Sequence, residues 1–358
     1  MNEFLKRKVN TIFLMLGHEC NLNCQYCLQH GITEEPLSHD INPDIYDFLE
    51  EISEGNNLRI QFYGGEPLLS WEDIQTVITE LESRYLPIKY SMITNGKLLT
   101  EEVVNFCCKH NMNISVSWDG PNTLKTRGYD VLQDKRDLLL KVKRLCVSSV
   151  ISAKNYPIEV LDAQQKFLDE YIAVNEKKCS LNCDLIFDTG IVPKSLLEFD
   201  WPRLEQEIHK LTKRYLLKIT KDTPMDHAHF EFINEIYQRI KGYYKNTDSY
   251  EREQNRTVCC CRNGYTTLNL GLDGNLYTCH NSSQKLGHIS DNYYEYLLRV
   301  AATDNTTENM KICRDCFALP YCNAGCKLVY DRELFCKLRQ TIYKAFADEL
   351  IKAGVENA

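Results

Sequence analysis

No apolar run in this 358-residue sequence approaches the length of a membrane-spanning helix, so no membrane is expected as a partner. The first residues, Met1-Asn2-Glu3-Phe4-Leu5-Lys6-Arg7-Lys8, are charged and lead straight into a strand-like stretch, which excludes a secretory signal peptide. A basic surplus is missing too. The net charge is −8 and no Lys/Arg patch stands out, which leaves no electrostatic case for nucleic acid as a partner. Repeats of solenoid type and low-complexity tracts are absent. What remains is 43% hydrophobic, enough for a sizeable core, and long enough for two domains.

Cysteine is what the chain has in excess. Seventeen thiols without a secretion signal favour metal over disulfides and point to a reducing, low-oxygen cytoplasm. Cys20, Cys24 and Cys27 stand at C-x3-C-x2-C spacing, directly after the apolar run 11–16. A strand that ends in a loop of three cysteines can wrap an iron–sulfur cluster. Three thiolates for four irons leave one iron open to a small molecule. Zinc is the competing reading, because cysteine pairs at x2 spacing also form zinc sites.

From residue 11 onward, short apolar runs alternate with amphipathic stretches. Strands are expected at 11–16, 58–63, 88–93, 113–118, 148–153 and 182–187, with helices near 43–54, 71–85, 100–110, 135–146 and 159–175. Each gap suits one crossover helix, so the strands are parallel. Six such units and a helix near 201–218 predict an α/β fold, a partial (β/α)6 TIM-type barrel. Its active site belongs at the C-terminal ends of the strands. The second strand runs into Gly64-Gly65-Glu66-Pro67, where two glycines let backbone pass close to a ligand and a carboxylate can hold an ammonium group. The third ends in Thr94-Asn95-Gly96 and the fourth in Ser117-Trp118-Asp119-Gly120, with Arg127 beyond as a planar, bidentate donor. Turn chemistry accounts equally for Asn95 and Asp119, and a solvated loop charge for Arg127. Tyr26 reads as a wall of the cluster pocket. Cys107, Cys108 and Cys146, placed on helices, and Cys179 and Cys183 read as buried small hydrophobes.

The composition changes at the consecutive Cys259, Cys260 and Cys261. Segments 266–270 and 276–278 flank an Asp273-Gly274 turn and read as a hairpin. Cys279 follows, then Cys313, Cys316, Cys322 and Cys326, and finally Cys336. From Cys261 the pattern is C-x12-G-x4-C, a gap, C-x2-C-x5-C-x3-C, a gap, and C. A zinc ribbon is the competing reading of 313–326. A helix over 338–352 is expected to pack back on the barrel.

The first triplet and the Gly64–Pro67 stretch resemble the radical S-adenosylmethionine (SAM) enzymes. The later seven-cysteine pattern resembles their SPASM domain. The expected organisation is a radical SAM partial barrel at 1–220, a helical linker at 221–258, a cysteine-rich SPASM domain at 259–340 and a C-terminal helix at 341–358. The resemblance implies SAM and three [4Fe-4S] clusters. Cys20, Cys24 and Cys27 would hold the SAM-cleaving cluster. Cys313, Cys316, Cys322 and Cys336 would hold an outer auxiliary cluster, and Cys261, Cys279 and Cys326 an inner one. The fourth inner ligand is Cys259 or Cys260, or else an iron there stays open. Cys259 is favoured, because adjacent residues of an extended chain point opposite ways. Gly64, Gly65, Glu66 and Pro67 would hold the SAM amino group, Asn95, Ser117 and Asp119 would face the cofactor, and Arg127 would reach its carboxylate.

In function the resemblance implies a radical SAM peptide maturase. A 5′-deoxyadenosyl radical takes hydrogen from a ribosomally made peptide, and an oxidative crosslink (thioether, carbon–carbon or carbon–oxygen) follows. Formylglycine formation, as in sulfatase-type maturases, is a close rival. In those enzymes an Asp follows the cysteine matching Cys279; here His280 and Asn281 follow, and His280 can itself be a base. Peptide epimerisation with Cys183 as hydrogen donor, and a non-catalytic iron–sulfur electron carrier, are the remaining alternatives. Only about ten residues precede the first strand, too few for a leader-binding winged helix. A separate leader-binding protein or direct peptide binding is therefore expected, with an external electron donor such as flavodoxin or ferredoxin.

Overall fold

The computed structural model describes residues 9–30, 37–54, 57–245, 264, 266–302, 313, 315–322, 325–326 and 328–354. The alternating pattern folds into parallel strands with helices between them. Strand β1 (Thr11–Met15) is followed by α1 (Asp44–Ser53), β2 (Arg59–Tyr63) by α2 (Trp71–Ser83), and β3 (Lys89–Thr94) by α3 (Glu101–Lys109). After β4 (Asn113–Ser117) come the short α4 (Thr123–Arg127), α5 (Val131–Asp134) and α6 (Arg136–Lys141). Then follow β5 (Leu145–Ile151), α7 (Pro157–Asn175), β6 (Ser180–Leu185), α8 (Trp201–Lys221) and α9 (His227–Lys245). Local chemistry sets these boundaries. In α3, Thr100 accepts from the Val103 N–H, Glu101 and Glu102 sit at the positive end of the dipole, and Lys109 sits at the negative end.

Side chains of one strand face alternate sides, and the two sides differ in chemistry. Ile12, Leu14, Ile60, Phe62, Met92, Ile114, Val116 and Val147 face the helices and form the main core. The residues between them, Phe13, Gln61, Tyr63, Ser91, Ser115, Ser117 and Ser148, line a concave lumen. A closed TIM barrel fills this space with branched apolar layers. Here it is largely polar, which suits a ligand.

The sheet continues past the six expected strands. β7 (Thr267–Gly271) pairs in parallel with β1, and β8 (Asn275–Tyr277) and β9 (Lys285–His288) extend it antiparallel. The described strands form one sheet in the order β6-β5-β4-β3-β2-β1-β7-β8-β9. An open barrel leaves the edge of β1 to be covered, and Leu268 and Leu270 of β7 carry the main core across it. The expected hairpin is thus part of the barrel sheet. Helices α10 (Tyr293–Ala302), α11 (Leu319–Cys322) and α12 (Arg332–Lys352) complete the described elements.

Several expected elements shift. The helix read over 135–146 ends at Lys141, and β5 starts at Leu145, before the expected residue 148. Leu145, Val147, Ser149 and Ile151 alternate in burial with Cys146, Ser148 and Val150, a period of two that overrides the apolar spacing. Cys146 is therefore a strand residue, not a helical one. Helix α12 starts at Arg332, ahead of the expected residue 338, because Asp331 caps it by accepting from the Leu334 N–H at 2.9 Å. Cys336 consequently lies on a helix. In the segment read as a linker, α9 buries Phe232, Ile233, Ile236 and Ile240 in a core shared with α7, α8 and α12. Among the described residues, no helix is long and apolar enough to cross a membrane.

Candidate active site

The sequence motifs converge on one rim, at the C-terminal ends of β1 to β4. Cys20, Cys24 and Cys27 lie in the loop after β1, and Cys27 N–H donates to Cys24 C=O at 3.1 Å, which tightens the turn. Burial pushes the Cys24 thiol up to about 11, and the nearby Arg127 charge opposes this. Burial also raises Cys20.

The Gly-Gly-Glu turn after β2 is stitched to this loop. Gly65 N–H donates to Gly17 C=O at 3.1 Å and Glu66 N–H to Glu19 C=O at 2.8 Å. A Cβ on Gly65 would meet Glu19 O at 2.1 Å and His18 O at 2.4 Å; one on Gly64 would meet Gly17 O at 2.5 Å. The glycines thus admit a second stretch of backbone, the one leading into Cys20. Gly65→Ala is expected to cost at least about 1–3 kcal/mol, because backbone must move. Anaerobic thermal unfolding and iron content would check this, and an unchanged melting temperature would refute it.

Glu66 is buried, and its carboxylate accepts from Thr94 Oγ1 at 2.5 Å, Asn95 N–H at 2.7 Å and Leu68 N–H at 3.1 Å. Burial raises it above the ordinary carboxyl range. Among the described residues no Lys or Arg pairs with it, so a ligand ammonium would supply the missing positive charge. Pro67 opens the short 3-10 turn Pro67–Ser70, which Glu66 caps. Asn95 ties the third strand end to the cysteine loop: its Nδ2 donates to Asn21 Oδ1 at 2.8 Å and lies 3.7 Å from Cys20 Sγ.

Asp119 is fully buried and organises the side of the loop nearest α4. It accepts from Tyr26 Oη at 2.5 Å, Thr126 Oγ1 at 2.7 Å and Val150 N–H at 3.1 Å, and pairs with Arg127 Nε at 3.1 Å. The Arg127 guanidinium lies 5.3 Å from the Tyr26 ring centroid, and its Nη1 is 4.0 Å from Cys24 Sγ. Arg127 is therefore a largely buried, paired group beside the cluster loop, not a solvated charge. Asp119 holds Tyr26 and Arg127 in place. Ser117 sits on the lumen face, paired in register with Ser148.

The second half meets this rim at Cys279, just after β8. The His280 ring stacks on Phe13 of β1 (4.2 Å between centroids, 14° between planes) and meets Tyr63 of β2 edge-on at 4.7 Å. Tyr63 Oη donates to Asn281 Oδ1 at 2.9 Å. Burial raises the Tyr63 phenol well above its ordinary value, and the nearby Cys279 and Cys27 both add to that. Cys313, Cys316, Cys322 and Cys336 line one pocket with Arg339 and Gln340. Gln340 Nε2 donates to Cys316 Sγ at 3.5 Å. Cys326 Sγ accepts from Leu328 N–H at 3.4 Å, and Cys279 Sγ from Asn281 N–H at 3.4 Å. Cys259, Cys260 and Cys261 lie outside the described residues.

Two thiols change role. Cys183 pairs in register with Ser149 and donates to Gln164 Oε1 of α7 at 3.5 Å. It faces away from the lumen and cannot deliver a hydrogen atom there. Cys146, set aside as a helical core residue, lies on the lumen face of β5 beside Ser115. Sequence reasoning missed Tyr63, Thr94 and the polar lumen residues Ser148, Asn182 and Asp184. The signal was present in β6, where Ser180, Asn182 and Asp184 form a polar stripe of period two.

The Radical SAM superfamily model matches residues 14–144. Among curated proteins, the chain is 35% identical over 132 residues to "Radical SAM cyclopropyl synthase TigE" of Paramaledivibacter caminithermalis, covering 32% of this chain and 28% of that protein. It is 21% identical over 336 residues to the cysteine-type anaerobic sulfatase-maturating enzyme of Clostridium novyi, covering 86% of this chain and 85% of that one. The chain spans 28% and 38% of the lengths of two curated relatives, TigE and the uncharacterized protein MJ0907 of Methanocaldococcus jannaschii. A solved structure of anSMEcpe with bound AdoMet superposes with a TM-score of 0.67 at 16% identity, covering 96% of this chain and 98% of that one. A structure of the same protein with AdoMet and the Cp18Cys peptide gives 0.65. At this identity the likeness speaks for the fold.

Proposed function

We propose that this chain, whose residues 14–144 form a radical SAM domain, is a maturase that oxidises a peptide or protein in the barrel lumen. The observation that carries this is the meeting of three thiols, a buried Glu66 with no cation paired to it among the described residues, and a largely buried Arg127 on one rim. The donor set fits the implied groups. Three soft sulfurs suit a four-iron cluster with one open position. Glu66 suits the amino group of SAM, Arg127 its carboxylate and Ser117 its ribose. When bound, cluster and SAM together supply a 5′-deoxyadenosyl radical that takes a hydrogen atom from the substrate. The chain's own residues orient the reactants and exclude water: Asp119 fixes Arg127, Asn95 braces the cysteine loop, and Phe13, Tyr63 and His280 wall the lumen.

The pocket of Cys313, Cys316, Cys322 and Cys336 offers four sulfurs, which suits a second cluster. Cys279 and Cys326, with Cys261 and Cys259 or Cys260, would hold a third. Zinc also accepts four sulfurs, and iron analysis separates the two. Cys322→Ala is expected to remove about four irons per chain while SAM cleavage persists. An unchanged iron content would refute the outer cluster.

An oxidative crosslink in a ribosomally made peptide is the favoured outcome. Formylglycine formation is the second reading, supported by the near full-length similarity to the cysteine-type sulfatase-maturating enzyme. A reducing cytoplasm, a leader-binding protein and a ferredoxin or flavodoxin as electron donor would complete the system. The test is anaerobic co-expression with the short peptides encoded beside the gene, followed by mass spectrometry. Loss of two hydrogens is expected, and fragmentation would separate crosslink from formylglycine. SAM cleavage without change in any peptide would count against a peptide substrate.

A further inference from the structure

The lumen face of β6 carries a carboxylate that the maturase reading leaves without a role. Register sets Asn182 beside Ser148 and Asp184 beside Val150, on the concave side. The contacts agree. Asn182 Nδ2 donates to Ser148 Oγ at 3.0 Å and to Asp184 Oδ2 at 2.9 Å, while Cys183 between them points to α7. Asp184 is exposed, and among the described residues no Lys, Arg or His lies within ion-pair distance of it. Arg239 feels its charge at longer range but is paired with Glu235 at 2.5 Å. Across the lumen, the Tyr63 phenol also feels it, behind the larger effects of burial and the nearby cysteines.

The two buried carboxylates of the rim are already engaged. Glu66 accepts three hydrogen bonds. Asp119 holds Tyr26, Thr126, Val150 and Arg127. At the position following Cys279 stand His280, wedged between Phe13 and Tyr63, and Asn281, which takes the Tyr63 hydroxyl. Among the described residues of the β6 lumen face, Asp184 is thus the carboxylate with an oxygen to spare.

We propose that Asp184 is the proton acceptor of the oxidation, an inference that rests on the maturase reading. Joining a substrate carbon radical to a hydroxyl, thiol or amide X–H group releases one proton and one electron. The C–X bond forms and the X–H bond breaks. The proton goes to Asp184 Oδ1, and the electron goes to a one-electron acceptor of the iron–sulfur class. Asn182 orients the carboxylate through Oδ2 and leaves Oδ1 for the proton. The substrate class that follows is a peptide whose modified residue lies next to a nucleophilic X–H group.

The test follows two products separately in wild type, Asp184→Asn and Asp184→Glu with the peptide found by co-expression. Asp184→Asn is expected to keep releasing 5′-deoxyadenosine, while oxidised peptide per 5′-deoxyadenosine falls about 10²-fold. Asp184→Glu should restore much of the ratio. An unchanged ratio in Asp184→Asn overturns the proposal. So does an equal loss of 5′-deoxyadenosine release, which would assign Asp184 to SAM binding or to the fold. If wild type cleaves SAM yet alters no peptide, it is the maturase reading that fails. Carbodiimide coupling of glycine ethyl ester to the cluster-loaded protein then decides the open lumen carboxylate. Labelling at Asp184 that a peptide map localises is expected, and an unlabelled Asp184 overturns the inference.

Discussion

Cys24→Ala is expected to reduce 5′-deoxyadenosine release from SAM and dithionite to the level of a protein-free control. The loop after β1 offers three sulfurs, and a four-iron cluster that leaves one iron for SAM needs all of them. Cys24 is more enclosed than Cys20. Burial pushes its thiol up to about 11 against the pull of Arg127, so the metal-free protein holds it protonated at neutral pH. Loading iron must expel that proton, and the thiolate that would hold the iron would gain from the Arg127 charge beside it. Alanine offers neither sulfur nor charge. Chromatographic measurement of 5′-deoxyadenosine, with iron content on the same sample, checks this. Release at the wild-type rate would sink the catalytic reading of the triplet.

Asp119→Ala should lower stability by about 3–5 kcal/mol, the cost typical of removing one partner of a buried ion pair. Asp119 is fully buried, and Arg127 keeps little contact with solvent. Without the carboxylate, the guanidinium is left charged in a place that water barely reaches, the Tyr26 hydroxyl and the Val150 N–H lose their acceptor, and the Thr126 hydroxyl loses its shortest one. The same change frees the α4 end that lies against Cys24, because Gln25 N–H donates to Thr126 C=O at 2.9 Å. Anaerobic denaturant unfolding of wild type and variant checks the magnitude. A loss below about 1 kcal/mol would mean that the pair behaves as a solvent-exposed one.

The barrel was legible because its signals are local. Apolar runs of strand length separated by amphipathic stretches give the six parallel strands, and cysteine spacing marks the loop after the first. Where two local signals compete, the boundary moved: the apolar residues of 135–146 fit a helix, yet from Leu145 the burial alternates as in a strand. Cys146 changed face with it. The reason for Gly64 and Gly65 was half legible. Both must be small, but what they admit is the Gly17–Glu19 backbone, a partner that pairing of β1 with β2 brings alongside.

By itself the sequence determined the α/β architecture, the order of its units and the thiols at two cysteine-rich regions, since each depends on residues a few positions apart. Only the tertiary structure decided that β7 closes onto β1 and that Tyr63 reaches Asn281 beside Cys279. It also decided that four thiols from 313 to 336 line one pocket and that Asp184 faces the lumen while Cys183 does not. These depend on strand register and on contacts between residues far apart in the chain. A register slip of one residue sends every side chain of a strand to the opposite face, and nothing in the spacing of a single strand records which face its neighbours present.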